Sequence, residues 1–260
     1  MSFELNGAGV VITGAGNGIG AALARRFAAE GARLVLSDLD GDAVKAVADE
    51  VGAIAVTANA ASEDGVTQLI AAAKETLGEI DLFCANAGIA PNGGPDTPED
   101  VWARAWNVNV MSHVLASKLL LPEWLERGKG HFLATVSAAG LLTSLGSAPY
   151  AVTKHGALAY AEWLSATYRH RGITVQALCP QGVRTNMLEN SGPGGKLLMD
   201  ASAITPEQLA DDVVKSLGGE HFLILPHPEV AEYYVNRATN PDRWLGGMNK
   251  LQRKVEQAFD

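Results

Sequence analysis

Tyr150 and Lys154, four residues apart in Tyr-Ala-Val-Thr-Lys, and Ser137, thirteen residues upstream of the tyrosine, are a set able to move a proton. On a helix, residues at i and i+4 share a face, one turn apart. A free phenol has a pKa of roughly 10 and is a poor base at neutral pH. A nearby lysine ammonium favours the phenolate and lowers that pKa. The pair then becomes a tunable acid/base for a hydroxyl or a carbonyl. Tyr and Lys at this spacing also occur by chance on many helices, so the weight falls on the elements that position them.

The amino-terminal segment supplies such elements. Residues 8–12 read as a short buried strand, followed by Thr13-Gly14-Ala15-Gly16-Asn17-Gly18-Ile19-Gly20 and then a good helix former. Strand, glycine turn and helix is the context a dinucleotide-binding loop requires. The glycines allow a tight turn and close approach to a pyrophosphate, and the helix start offers unpaired N–H groups. The next strand, 33–37, ends at Asp38, about 20 residues after the glycines. A carboxylate there accepts from both adenosine ribose hydroxyls and repels a 2′-phosphate. No basic residue follows it, since the next position is Leu39, and the loop itself carries Asn17. The expected cofactor is NAD(H) rather than NADP(H).

At this point the chain resembles the short-chain dehydrogenase/reductase family over roughly residues 5–225. The cofactor loop matches at Thr13, Gly14, Gly18 and Gly20, and Ala85-Asn86-Ala87-Gly88 matches the motif after the fourth strand. Asn109 matches the family's helix asparagine, Ser137, Tyr150 and Lys154 its catalytic residues, and Pro180-Gln181-Gly182-Val183-Arg184-Thr185 the segment after the sixth strand. The resemblance implies an NAD-dependent oxidoreductase that transfers hydride reversibly between NAD(H) and a secondary alcohol or ketone. It implies that Tyr150 takes the proton, that Lys154 lowers its pKa and holds the nicotinamide ribose, and that Ser137 holds the substrate oxygen. Asn109 would anchor a water of the proton relay. The cofactor would be held by Gly14, Asn17, Gly18, Ile19, Gly20, Asp38, Leu39, Asn59, Ala60, Asn86, Ala87, Gly88, Tyr150, Lys154, Pro180, Val183 and Thr185. Two rival readings are an NAD-sensing module without turnover, and epimerase or dehydratase chemistry with bound NAD.

Four positions depart from the family pattern. Asn59 replaces an aspartate near the adenine, where an amide oxygen can still accept from the adenine amine. Ala85 replaces an asparagine. Val136 replaces a frequent second serine, leaving Ser137 alone there. Gln181 replaces a glycine beside the nicotinamide and is expected to add a polar side chain at the mouth of the site.

The chain of 260 residues suits one domain with a sizeable core. Its net charge of −9 and pI near 5.2 argue against a nucleic-acid footprint, which needs a basic face. A hydrophobic content of 47% and a mean hydropathy of +0.07 fit a soluble protein with buried strands. No apolar run is long enough to span a membrane, and the first residues lack signal-peptide character. A cytoplasmic location is therefore expected, with a small-molecule substrate and no nucleic-acid or membrane partner. Cys84 and Cys179 end the fourth and sixth strands. In the sheet order implied by the family, one strand separates them by two spacings, roughly 9.6 Å, beyond the roughly 7 Å limit for a disulfide. The six histidines show no ligand spacing, so no metal is expected, and His155 reads as a packing or interface residue.

Strands near 8–12, 33–37, 53–57, 80–84, 131–136, 173–178 and 221–225 alternate with helices. The fold class is therefore α/β, a Rossmann-type doubly wound parallel sheet with helices on both faces. Thr97 and Thr205, each followed by Pro and Glu, are expected N-caps, the second with Gln208 completing a capping box. Residues 1–225 form the NAD-binding catalytic domain, including a breaker-rich 186–204 segment read as a mobile lid over the substrate. Residues 226–260 are a helical extension of the same domain. Trp244, Met248, Leu251, Val255 and Phe259 give its last part, 241–260, an apolar stripe. Ala139, Gly140, Leu141, Leu142 and Leu145 are expected to line a largely apolar substrate site. Arg184 and Lys196 are the only bases near it. By family resemblance, helices 100–126 and 149–170 form the interface of a homo-oligomer, a dimer or a tetramer.

Overall fold

The computed structural model describes residues 3–191 and 199–257. Its centre is a seven-stranded, all-parallel sheet: β1 (Gly9–Thr13), β2 (Arg33–Asp38), β3 (Ile54–Thr57), β4 (Leu82–Ala85), β5 (Gly130–Thr135), β6 (Ile173–Leu178) and β7 (Leu223–Ile224). The order across the sheet is β3-β2-β1-β4-β5-β6-β7. Such strands are buried on both faces, so they read as continuous apolar runs. Val10 and Ile12 face one layer of the core and Val11 the other, following the strand period of two.

One layer is built with α1 (Gly18–Ala29), α2 (Gly41–Val51) and α9 (Pro206–Leu217), around Phe27, Val44, Leu209 and Val213. The other uses α3 (Glu63–Leu77), α4 (Glu99–Trp106), α5 (Ser112–Arg127) and α7 (Ala148–Tyr168), around Leu69, Trp124, Phe132 and Leu158. Local caps set the helix starts. Asp40 accepts from Ala43 N–H at 3.0 Å, and Ser62 accepts from Gly65 N–H at 3.2 Å. The capping box at α9 is present: Thr205 accepts from Gln208 N–H at 3.2 Å, and Gln208 accepts from Thr205 N–H at 2.9 Å. The expected Thr97 cap is not formed. Helix α4 starts one residue later, from Pro98, whose carbonyl accepts from Val101 and Trp102.

Two expected long elements differ in detail. The 100–126 helix is broken by a π segment, Asn107–Met111, between α4 and α5. The 186–204 segment is not uniformly irregular. It contains α8 (Asn186–Glu189) and a 3₁₀ turn, Asp200–Ser202, while 192–198, including Lys196, lies outside the described residues.

After β7 come α10 (Glu229–Thr239) and α11 (Pro241–Gln257). Val230 is fully buried, and Tyr234 and Trp244 pack against the core. Phe259, the last residue of the expected stripe, lies outside the described residues. Arg237 of α10 donates to the Leu141 carbonyl and faces His155 Nε2 at 3.1 Å. The expected packing residue His155 is thus a link from α7 to the extension, its Nδ1 facing the Ala151 carbonyl at 2.8 Å.

Candidate active site

Between β1 and β4 the winding of the sheet reverses direction. In open parallel sheets such a switch point opens a crevice at the carboxyl ends of the strands. The glycine turn leaves β1 there. Gly14 has φ +65, and a Cβ on it would lie 2.9 Å from Ala87 Cα. A Cβ on Gly20 would lie 2.1 Å from the Gly14 carbonyl oxygen. Neither position has room for a side chain, so the first turn of α1 presses onto its own loop. Asn17 caps α1 without a side-chain bond and is exposed, with Ile19 half-buried behind it.

Asp38 at the end of β2 secures this turn. Its Oδ2 accepts from Gly16 N–H at 2.9 Å and its Oδ1 from Asp40 N–H at 3.1 Å. Each carboxylate oxygen keeps a further lone pair. Leu39 beside it is 68% exposed, a large apolar surface at the rim. Asn59 is exposed, and its Oδ1 accepts from Ala61 N–H at 2.9 Å, with Ala60 in the turn between them. That oxygen therefore already has one partner of its own.

The 86–88 turn is tied to β1 by a residue with no role in the sequence reading beyond motif membership. Thr13 Oγ1 accepts from Asn86 N–H at 3.0 Å and Ala87 N–H at 3.1 Å. Asn86 in turn donates to the Thr13 and Gly14 carbonyls at 3.0 and 3.2 Å. Its Oδ1 accepts from the Thr135 hydroxyl at 3.1 Å, linking three strand ends. Thr135 belongs to none of the motifs quoted above, so no local pattern singles it out.

The proton-active residues stand next to this crevice. Ser137 follows β5 and caps α6 (Ala138–Leu141), accepting from Ala139 N–H at 3.1 Å. Tyr150 and Lys154 lie one turn apart near the start of α7, with the Lys154 ammonium 5.7 Å from the centre of the Tyr150 ring. Lys154 is buried and donates to the Thr135 carbonyl at 2.9 Å. Burial brings its pKa down to about 8.

The expected lowering of the Tyr150 pKa by Lys154 is not what the geometry produces. Burial raises the phenol above its usual value, and the nearby Ser137 hydroxyl is the influence that lowers it, although that hydroxyl donates to the Pro180 carbonyl at 3.4 Å. The ammonium is directed to Thr135 instead. Asn109 is tied into the protein by its side chain. Its side chain is fully buried and donates to the Ile89 carbonyl and the Thr153 hydroxyl, both at 2.9 Å. Its Oδ1 accepts from Ile89 N–H at 2.9 Å. Both side-chain donors are spent on protein, so this amide fixes the 86–89 turn against α7.

Beyond β6, the Pro180 carbonyl accepts from Ala138 N–H at 2.8 Å, which joins this turn to the one carrying Ser137. Val183 is buried and bridged to Ile204, and Thr185 donates to the Val183 carbonyl at 3.2 Å. A Cβ on Gly18 would lie 3.1 Å from the Thr185 methyl, so the 180–185 turn reaches across to the glycine loop. The expected apolar lining is partly corrected. Leu141 and Leu142 belong to the core, and Gly140 is packed against the Lys154 backbone. Leu145 instead borders a surface groove of about 510 Å³ with Gly93, Gly94, Val152 and Gln252. Arg184 is exposed and pairs with Asp200 at 3.8 Å.

Among the described residues, no group of three or more His, Cys, Asp or Glu side chains is placed to hold a metal ion. No helix among them is long and apolar enough to cross a membrane. Cys84 and Cys179 are both free and buried, with β5 between their strands as expected.

Known proteins share this arrangement. A family model described as short chain dehydrogenase matches residues 8–195. The 1-deoxy-11-beta-hydroxypentalenate dehydrogenase of Streptomyces exfoliatus is 37% identical over 232 residues, covering 84% of this chain and 82% of that one. The meso-2,3-butanediol dehydrogenase of Serratia marcescens is 37% identical over 182 residues, covering 68% and 72%. A short-chain dehydrogenase/reductase from Burkholderia phymatum, crystallised with NAD, superposes with a TM-score of 0.85 at 27% identity, covering 92% of this chain and 96% of that one. With these motifs, this sheet order and these relatives, the chain belongs to the short-chain dehydrogenase/reductase family of oxidoreductases.

Proposed function

We propose that this protein is an NAD(H)-dependent dehydrogenase that interconverts a secondary alcohol and its ketone, with a largely apolar, uncharged substrate. The observation that carries this reading is the convergence of Ser137, Tyr150 and Lys154 beside a glycine turn braced by Asp38. A crevice built without room for side chains at Gly14 and Gly20 fits a pyrophosphate lying on backbone N–H groups at the start of α1. The lone pairs left on Asp38 fit ribose hydroxyls, and its negative charge disfavours a 2′-phosphate. The NAD-bound Burkholderia phymatum structure supports the same choice of cofactor. The names of the Streptomyces and Serratia relatives both describe hydroxylated substrates, which supports the reaction class.

Bound NAD supplies the hydride acceptor, and its reduced form the donor. Tyr150, as phenolate after losing its own proton to solvent, accepts the proton of the substrate hydroxyl in oxidation, and as phenol it supplies that proton in reduction. Ser137 holds the substrate oxygen with its single O–H, which turns to it from the Pro180 carbonyl at 3.4 Å. Lys154 has two ammonium donors left after Thr135, available to ribose hydroxyls. Asn109 and Asn86 hold the 86–89 turn in register with α7 and β1. Val183 and Thr185 orient the nicotinamide end. Ala139, two residues after Ser137, supports an apolar substrate. Exposed Trp106, Val152 and Trp163 on α4 and α7 support self-association through that face.

The test is incubation of the purified protein with NAD or NADP and a panel of apolar secondary alcohols, following the absorbance of the reduced nicotinamide. Turnover with NAD on one alcohol class is expected. NADH binding without turnover on any alcohol or ketone would favour a sensing module instead.

A further inference from the structure

His227 joins three segments that the chemistry above uses separately. It lies between β7 and α10 and is 3% exposed. Its Nδ1 accepts from the Gln181 backbone N–H at 3.2 Å. An acceptor at Nδ1 leaves the proton of the neutral ring on Nε2. Nε2 then donates to the Ser202 carbonyl at 3.1 Å. One imidazole therefore holds the turn after β6, the far end of the 186–204 segment and the entry to the carboxyl-terminal helices.

The first two of these segments also touch directly. Ile204 donates to the Gly182 carbonyl at 3.1 Å, and Arg184 donates to the Ile204 carbonyl at 2.9 Å. A Cβ on Gly182 would lie 2.6 Å from the Met199 carbonyl oxygen, so residue 199 is pressed onto the same turn. On the opposite side, Pro180 is held by Ala138, next to Ser137. The 180–185 turn is thus clamped between the Ser137 turn and His227. Gln181 occupies the centre of that clamp, and its backbone N–H has the imidazole as its acceptor.

We propose that His227 is a positioning residue: through its Gln181 and Ser202 bonds it sets the 180–185 turn for the nicotinamide end of the cofactor and seats the substrate segment upon it. The inference rests on the reading of that turn as the nicotinamide contact. It separates two halves of the cofactor site. The adenosine half, with Asp38 and the glycine turn, makes no contact with His227. A change at His227 should therefore weaken binding of the whole dinucleotide and spare a ligand that ends before the nicotinamide.

The test compares wild type with His227→Asn, His227→Gln and His227→Ala in the full chain. Asn places an acceptor near the Nδ1 position, and Gln a donor near the Nε2 position. Amide exchange at Gln181, followed by NMR, should accelerate in the Ala and Gln variants and stay near wild type in Asn. NADH affinity should fall about tenfold in Ala, the scale expected when a buried N–H loses its acceptor. ADP-ribose affinity should stay within about twofold, and Asn should restore NADH binding toward wild type. If Ala does not fold, the Asn and Gln variants carry the comparison. Unchanged NADH affinity in both Ala and Gln, or equal losses for NADH and ADP-ribose, would overturn the proposal. A wild type that fails to bind NADH would sink the cofactor reading instead, and unaltered Gln181 exchange would then dispose of the bridge as well.

Discussion

The Lys154 ammonium, carried on α7, donates to the carbonyl of Thr135, the last residue of β5, at 2.9 Å. The lysine is therefore held by the sheet, and its burial lowers its pKa from 10.5 to about 8. Between those values the unfolded chain binds more protons than the folded one, so stability rises with pH. The Tyr150 phenol, raised above 10.0, acts with the opposite sign only above that value. Urea unfolding from pH 8 to 9 should give a more positive slope in wild type than in Lys154→Met, because the buried Cys84 and Cys179 thiols, which act with the opposite sign near 9.0, pull both profiles down equally. Parallel profiles would mean that the lysine is not desolvated.

Tyr150→Phe removes the proton carrier and keeps the ring. Turnover should fall at least 10³-fold, the scale of a lost general acid/base (~10²–10⁴-fold), while NADH affinity changes less than about threefold. Stopped-flow absorbance and fluorescence titration read the two quantities. Substantial residual turnover would place the base elsewhere.

Asp38 both braces the glycine turn and offers lone pairs outward. Asp38→Ala should raise the KM for NAD by roughly tenfold or more, the cost of hydrogen bonds to a charged group. It should also narrow the preference over NADP, because the repelling carboxylate is gone. Asp38→Asn should give the smaller KM effect, since one acceptor oxygen remains. Steady-state kinetics with both cofactors decide the matter.

His113 on α5 is fully buried, edge-on to Phe132, with no hydrogen-bond partner at either ring nitrogen among the described residues. Burial pushes its pKa down to about 3, and His131 is pushed to about 4. As pH falls from about 6.5 toward these values, the unfolded chain takes up protons that the folded one refuses, and stability falls. His113→Leu should reduce this acid sensitivity. At neutral pH it should be neutral or stabilising by about 1 kcal/mol, because two unsatisfied polar atoms are lost. Thermal unfolding at pH 5 and pH 7 provides the measurement.

Much of the cofactor half was legible in the sequence because its signals are local. A buried strand, a glycine turn, a helix and an acidic strand end lie within the first 38 residues, and the observed β1, α1 and β2 follow that order. Alternating elements predicted the parallel sheet for the same reason. The interior of the site was less legible. The π segment at 107–111 has the composition of an ordinary helix, and it coincides with Asn109 bonding across to Ile89 and Thr153. Tyr150's raised pKa depends on burial and on where the Lys154 head is directed, neither of which spacing reveals. Thr97 looked like a cap by pattern, but the adjacent Pro98 carbonyl begins the helix. His227 finds its partners 46 and 25 residues away, so no window around it could disclose them.

Cys84 and Cys179, one strand apart from a common neighbour and without surface exposure, have thiols that burial pushes far from ionisation, Cys179 to about 12. Thiolate, the form that alkylates, is nearly absent in the folded chain at neutral pH. A thiol-reactive dye added to the native protein therefore reads the opening of the sheet centre itself. Labelling at the two positions, resolved by mass, becomes a two-channel clock. Equal rates report cooperative opening of β4 and β6, and unequal rates reveal which side of the sheet comes apart first.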